Sequence, residues 1–263
     1  MNEDEARNTA TTTDDVVMAE APDQQDMHER GQGTWPLFYR QPELLDAQAH
    51  ASWRVKPAGV EFAAAVNSVP VMLGEFSAAA RHYPLVFAGP ERMPVAVLGL
   101  GHRNLFVKDG TWRADTYVPA YVRRYPFVFA EVGSPGQHAL AIDAQAPMLA
   151  RQGDEGTLLF EEGTPSELTR QALRFCDAFT RESAATREFV ALLEREKLLV
   201  ERTANIRLPD GGLSTLGGFA VVSAEAFSML PEALVIEWHR SKRLEQVHAH
   251  LLSLARFPDL MEG

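Results

Sequence analysis

The phrase Arg81-His82-Tyr83-Pro84-Leu85-Val86-Phe87-Ala88 returns 42 positions later as Arg123-Arg124-Tyr125-Pro126-Phe127-Val128-Phe129-Ala130, and no other feature of the chain limits its architecture so tightly. Proline disfavours the α conformation in the residue before it, so a helix reaching either tyrosine should stop there. The apolar run that follows is short and rich in β-branched or aromatic residues, as in a strand covered on both faces. Self-similarity at a fixed period of this size is a mark of a duplicated supersecondary unit. A second echo supports the first: Leu105-Phe106-Val107-Lys108-Asp109-Gly110-Thr111 matches Leu158-Leu159-Phe160-Glu161-Glu162-Gly163-Thr164.

Each unit is expected to be a helix followed by a three-stranded antiparallel meander. The first, about residues 68–110, has a helix over 75–83 and strands at 85–87, 95–100 and 104–107, with Asp109-Gly110 as a turn. The second, about 117–163, has a helix near 118–125 and strands at 127–132, 139–142 and 157–160. From Pro165 a long helical stretch carries Leu168, Ala172, Phe175 and Phe179 in one apolar stripe. A break is expected near Ser183, before a second helix with Phe189, Leu192, Leu193 and Leu199. Strands at 204–208 and 217–222 around Pro209-Asp210-Gly211-Gly212 and a closing helix near 244–257 complete the reading. The fold class is α+β: two related helix-plus-antiparallel-meander units packed with C-terminal helices.

The net charge of −11 is unevenly placed. Residues 1–34 hold nine acids against Arg7 and Arg30, so −7 sits in the tail and −4 on the rest. Residues 1–33 carry almost no large apolar groups and are expected to be a disordered acidic tail, with a single domain over 34–263 beginning at Trp35-Pro36-Leu37-Phe38-Tyr39. An acidic balance argues against nucleic acid as a partner, because that affinity rests on Lys and Arg neutralising phosphates. The acidic start has neither a basic n-region nor an apolar h-region. No stretch approaches the ~18 to 20 apolar residues that span a bilayer, and the expected location is the cytoplasm. The one cysteine, Cys176, lies on the apolar side of a helix and reads as a buried, inert thiol.

Several phrases, in order, resemble the SapC family of bacterial proteins: Pro36-Leu37-Phe38-Tyr39, Asn67-Ser68-Val69-Pro70, Gly74-Glu75-Phe76, Arg81-His82-Tyr83-Pro84, Tyr117-Val118-Pro119-Ala120-Tyr121, Arg123-Arg124-Tyr125-Pro126-Phe127, Gly217-Gly218-Phe219 and Leu251-Leu252-Ser253-Leu254. The likeness runs from about Trp35 to about Leu260. It implies association with a bacterial surface layer, from which the family takes its name, or with outer-membrane nutrient uptake. An unrelated peptide-transport permease of similar name is excluded by the missing membrane spans.

The sharpest candidate site joins Arg81, His82 and Tyr83 to Arg123, Arg124 and Tyr125. Duplicated units place equivalent residues about a pseudo-twofold axis, where two cationic ends can converge on an anion or a peptide carboxylate. The plainer reading is that cations in a last helical turn complement its dipole and free carbonyls. Glu75 at a helix start reads as a cap, or else as an acid or base. Asn67-Ser68 reads as a polar turn. Tyr117, Tyr121 and Tyr125 fall at four-residue spacing, one packed helix face or the lining of a groove. No metal is expected, since His248 and His250 point to different sides of a helix and no ligand spacing accompanies Glu237 and His239. No cofactor is expected, for want of a phosphate-cradling glycine fingerprint; Ser77, Ser134 and Ser166 lack a nucleophile-elbow frame.

Three functional readings follow. The first is a non-catalytic accessory protein that binds a peptide or protein partner in the cleft between its two β-rich units. The second is an enzyme for a small anionic or amino-acid-like ligand held by Arg81, Arg123 and Arg124, with Glu75 or His82 moving protons. A structural surface-layer subunit is a third reading, without a visible export route.

Overall fold

The computed structural model describes residues 36–134, 136–207 and 213–261. In chain order its strands begin with β1 (Pro42–Leu44), β2 (Arg54–Val55) and β3 (Ser68–Pro70). A 3-10 turn, Leu73–Glu75, leads into helix α1 (Phe76–Ala79), then β4 (Leu85–Ala88) and β5 (Met93–Val97). A small hairpin, β6 (Val107–Lys108) with β7 (Thr111–Trp112), precedes helix α2 (Ala120–Arg124). Then come β8 (Phe127–Glu131), β9 (His138–Asp143), β10 (Leu149–Ala150), β11 (Thr157–Leu158), β12 (Phe160–Glu161) and β13 (Thr164–Pro165). Helix α3 (Glu167–Arg195), strands β14 (Leu199–Arg207) and β15 (Leu213–Val222), and helices α4 (Ala224–Ser228), α5 (Glu232–Arg240) and α6 (Arg243–Ser253) follow, with a final 3-10 stretch at Leu254–Met261.

The architecture is α+β with open antiparallel sheets. A five-stranded sheet runs β14-β15-β4-β5-β3, and a three-stranded one β1-β9-β8. Pro70, which cannot donate to a ladder, sits in the edge strand β3, where the loss costs least. The two copies of the repeated phrase thus open strands in a similar local order, β3-β5-β4 and β1-β9-β8, although β4 also pairs with β15 while β8, among the described residues, pairs with β9 alone. Their turns also agree, with Asp109-Gly110 and Glu162-Gly163 all at positive φ. They differ elsewhere: the bond before Pro126 is cis and that before Pro84 is not. Shared strand order without shared local geometry leaves duplication a reading of the sequence.

Two expectations are corrected. The third meander strand of each unit does not join its sheet. Residues 107–108 pair with 111–112 instead, and the 157–160 stretch splits between β2 and β13. The long helix has no break at Ser183: Arg187 donates to the Ser183 hydroxyl one turn back (2.9 Å), so the serine stabilises the solvent face. Strand β15 adds β14 to the first sheet through Phe219 and Ala220 against Ala88 and Phe87. Helix α4 was not expected. The Pro209–Gly212 turn and the acidic tail lie outside the described residues.

The core is divided, and α3 joins its two largest parts. Its first turns place Ala172 and Cys176 against Trp53, Phe127, Leu140 and Ile142. Its later turns place Phe179, Phe189, Val190 and Leu193 against Phe76, Tyr83, Phe87 and Trp238.

Candidate functional site

Helix α2 is one turn long, because Tyr125, preceding Pro126, is forced to extended φ −61° and ψ 135°. Arg123 and Arg124 fill its last turn, where the dipole favours cations. Being adjacent, they leave the helix in different directions. Arg123 donates from Nε to the Val118 carbonyl (3.0 Å) and from Nη2 to the Tyr117 hydroxyl (3.1 Å), and lies against the Tyr117 and Phe175 rings. Arg124 sits among three rings, 4.2 Å from the Phe179 centroid, 4.9 Å from Tyr121 and 5.7 Å from Tyr39. Both arginines line a cleft of ≈ 260 Å³ whose other walls are Val55, Tyr125, Pro126, Phe127 and the α3 residues Leu168, Gln171, Ala172, Phe175 and Cys176.

Nothing among the described residues neutralises the charge in this cleft. Among the described residues, neither Arg123 nor Arg124 has a carboxylate within ion-pair distance. The Nε of half-buried Arg124 is shielded from solvent and has no hydrogen-bond partner. Ring contacts return about 0.5–2 kcal/mol to such a cation, but a shielded guanidinium ordinarily also finds an acceptor. Glu167, one turn before Gln171, is already engaged: hydrogen bonds from Arg174, then Arg170 and Gln171, pull its carboxyl down to about 2. Burial pushes the Cys176 thiol up to about 12, so it lines the wall as a neutral group and not as a nucleophile. The arrangement suits a ligand that is anionic at one end and apolar at the other.

The structure gathers only part of the expected site. Arg123, Arg124 and Tyr125 line the cleft; Arg81, His82, Tyr83, Asn67 and Glu75 do not. The cleft lies between the second unit and α3, not at the seam between two meanders that was expected. Arg81 is exposed, and His82 is held below its ordinary pKa by burial and by Arg81, Arg256 and Arg113. Tyr83 is fully buried, donates to the Tyr117 carbonyl and accepts from Trp112 Nε1 (3.2 Å). Asn67 donates its side-chain amide to the Gly101 carbonyl, 34 residues on, a long-range contact where the sequence suggested a local polar turn. Glu75 is buried, and its carboxylate accepts from Met72 N–H (2.9 Å), Tyr117 O–H (2.9 Å) and Ala120 N–H (2.6 Å).

Several contributors escaped the sequence reading. Asp143, wholly buried at the end of β9, accepts from the Tyr125 hydroxyl (2.8 Å) and from Gln41 N–H (2.8 Å), and so fixes the cleft floor. A carboxylate closing the apolar run Leu140-Ala141-Ile142 was the available signal. Tyr39 and Phe179 arrive from segments 85 and 55 residues away from Arg124, and no local pattern announces them.

Fold and site together define an α+β protein of antiparallel sheets with an arginine-lined apolar cleft. The SapC family model matches residues 45–260, most of the chain, and the protein belongs to that family. No match is found among curated proteins or solved structures. No helix among the described residues is long and apolar enough to cross a membrane. None of their His, Cys, Asp and Glu side chains group in threes that could hold a metal ion.

Proposed function

We propose that this SapC-family chain is a binding protein that engages a peptide or protein partner through the Arg123–Arg124 cleft, as an accessory factor in bacterial surface or uptake biology. One observation carries the reading: two adjacent arginines, without a counter-carboxylate among the described residues, stand at the edge of an apolar cleft. Interfaces favour such arginines, because a guanidinium combines planar donors with a face that stacks. The enzymatic alternative loses support at Glu75, whose oxygens are occupied by three donors, and at His82, which does not line the cleft.

The test compares capture from a lysate of the native cell by wild type, Arg123→Ala and Arg81→Ala. Partners retained by wild type and by Arg81→Ala, and lost by Arg123→Ala at an unchanged melting temperature, are the expected result. Three identical capture profiles would remove the cleft from partner binding.

A further inference from the structure

Resting on that reading, we propose that the cleft recognises a chain end: the free C-terminal carboxylate of a peptide, held by Arg124, with the apolar terminal side chain against the α3 wall. The donor set argues for a carboxylate. A guanidinium presents a flat fork of N–H groups that two carboxylate oxygens match bidentately, and among the described residues no carboxylate stands within ion-pair distance of Arg124, which lines the cleft. Phosphate groups fit less well, because they offer three strongly hydrated oxygens where the remaining walls are largely apolar. Val55, Leu168, Ala172 and Phe175 have no side-chain donor to give.

Size and polarity then narrow the ligand. A cavity of about 150 Å³ lined by apolar side chains holds a benzene molecule. The ≈ 260 Å³ here therefore has room for one large apolar side chain and a carboxylate. In a C-terminal residue both leave the same Cα, so a single residue reaches Arg124 and the apolar wall together. An internal Asp or Glu carries its carboxylate where the apolar group would have to be. Gln171 supplies the third contact. Its Nε2 is committed to Glu167 (3.2 Å), leaving its carbonyl oxygen to accept the last amide N–H of an incoming chain.

Calorimetric titration of the full chain at low salt tests this with four probes: N-acetyl-Gly-Gly-Phe with a free C-terminus, its C-terminal amide, N-acetyl-Gly-Gly-Asp amide and 3-phenylpropionate. The free acid is expected to bind at least ~10-fold more tightly than either amide, the effect of about one charge-assisted hydrogen bond. Arg124→Lys, which keeps the charge and loses the fork, should weaken the free acid by a similar factor and leave the amides unchanged. Circular dichroism melts confirm that this variant is folded. Equal binding of acid and amide overturns the chain-end proposal while leaving the peptide-binding cleft standing. Binding of 3-phenylpropionate as tightly as the peptide acid overturns it in favour of a free small acid. If no probe binds, yet Arg123→Ala still loses its lysate partners, the chain-end reading alone fails. If those partners are also kept, both fail.

Discussion

At Glu75 one carboxylate serves donors from two distant parts of the chain. Through Met72 N–H it closes the turn that starts its own helix. Through Ala120 N–H and Tyr117 O–H it caps α2, which has no side-chain cap of its own. The sequence reading of Glu75 as a cap covered only the first of these tasks, since the second depends on a contact across 45 residues. The Tyr117 hydroxyl then accepts from Arg123, so the buried acid also sets the posture of a cleft arginine. His250 shows the same dependence on surroundings. Fully buried, it accepts Val222 N–H through Nε2 (3.0 Å), packs beside Phe87, and is lowered by burial to about 4 from an ordinary 6.5. Between those values the unfolded chain binds the proton and the folded chain does not. Stability therefore rises with pH through this window and is lost as pH falls through it, by about 1.4 kcal/mol per unit at the steepest. Urea midpoints measured from pH 4 to 7 should show this slope, and His250→Gln should flatten it. An equal slope in the variant would assign the acid sensitivity to other groups.

Among the elements, those governed by local rules were legible. Proline after Tyr125 ends α2 in extended backbone, as the pair Tyr-Pro requires. Asp109-Gly110 and Glu162-Gly163 make two-residue turns because both positions adopt positive φ, which glycine takes without strain. What these hairpins dock against was not legible. The Gly110 carbonyl accepts Val60 N–H (2.7 Å), and a Cβ placed on Gly59 would stand 2.1 Å from that oxygen. Because the obstacle is backbone, Gly59→Ala must displace the turn, and a loss of about 2 kcal/mol or more in chemical denaturation is expected. Loss below about 0.5 kcal/mol would show that the turn is free to move away. Helix α3 was misread as two helices because Ser183 is an indifferent helix former. Packing decided otherwise: Thr186, buried one turn on, donates to the Glu182 carbonyl (2.7 Å) and accepts Leu73 N–H (2.9 Å), tying mid-helix to the first unit.

For the molecule as a whole, α3 is the member common to both cores, and that geometry predicts how it unfolds. Trp53 reports the core around β8 and β9, whereas Trp112 and Trp238 report the core around β4 and β5. A helix of 29 residues packed in both should transmit loss of one to the other. Single-tryptophan variants retaining either Trp53 or Trp238 should therefore give the same denaturation midpoint as far-ultraviolet circular dichroism. Separated midpoints would mean that the two cores melt independently. The sequence by itself determined the α+β class, the strands it placed at 85–87 and 127–132, both glycine turns and the family. Each of these is set by neighbours in the chain: periodicity, proline geometry and positive φ. Only the tertiary structure decided that Arg124 would meet Tyr39 and Phe179 while Arg81 faced outward, although both stand in the same repeated phrase. The phrase specifies a helix end and a strand start, but the environment of a side chain comes from whatever distant segment packs over it: α3 packs against both copies, yet it brings Phe179 to Arg124 and leaves Arg81 to solvent.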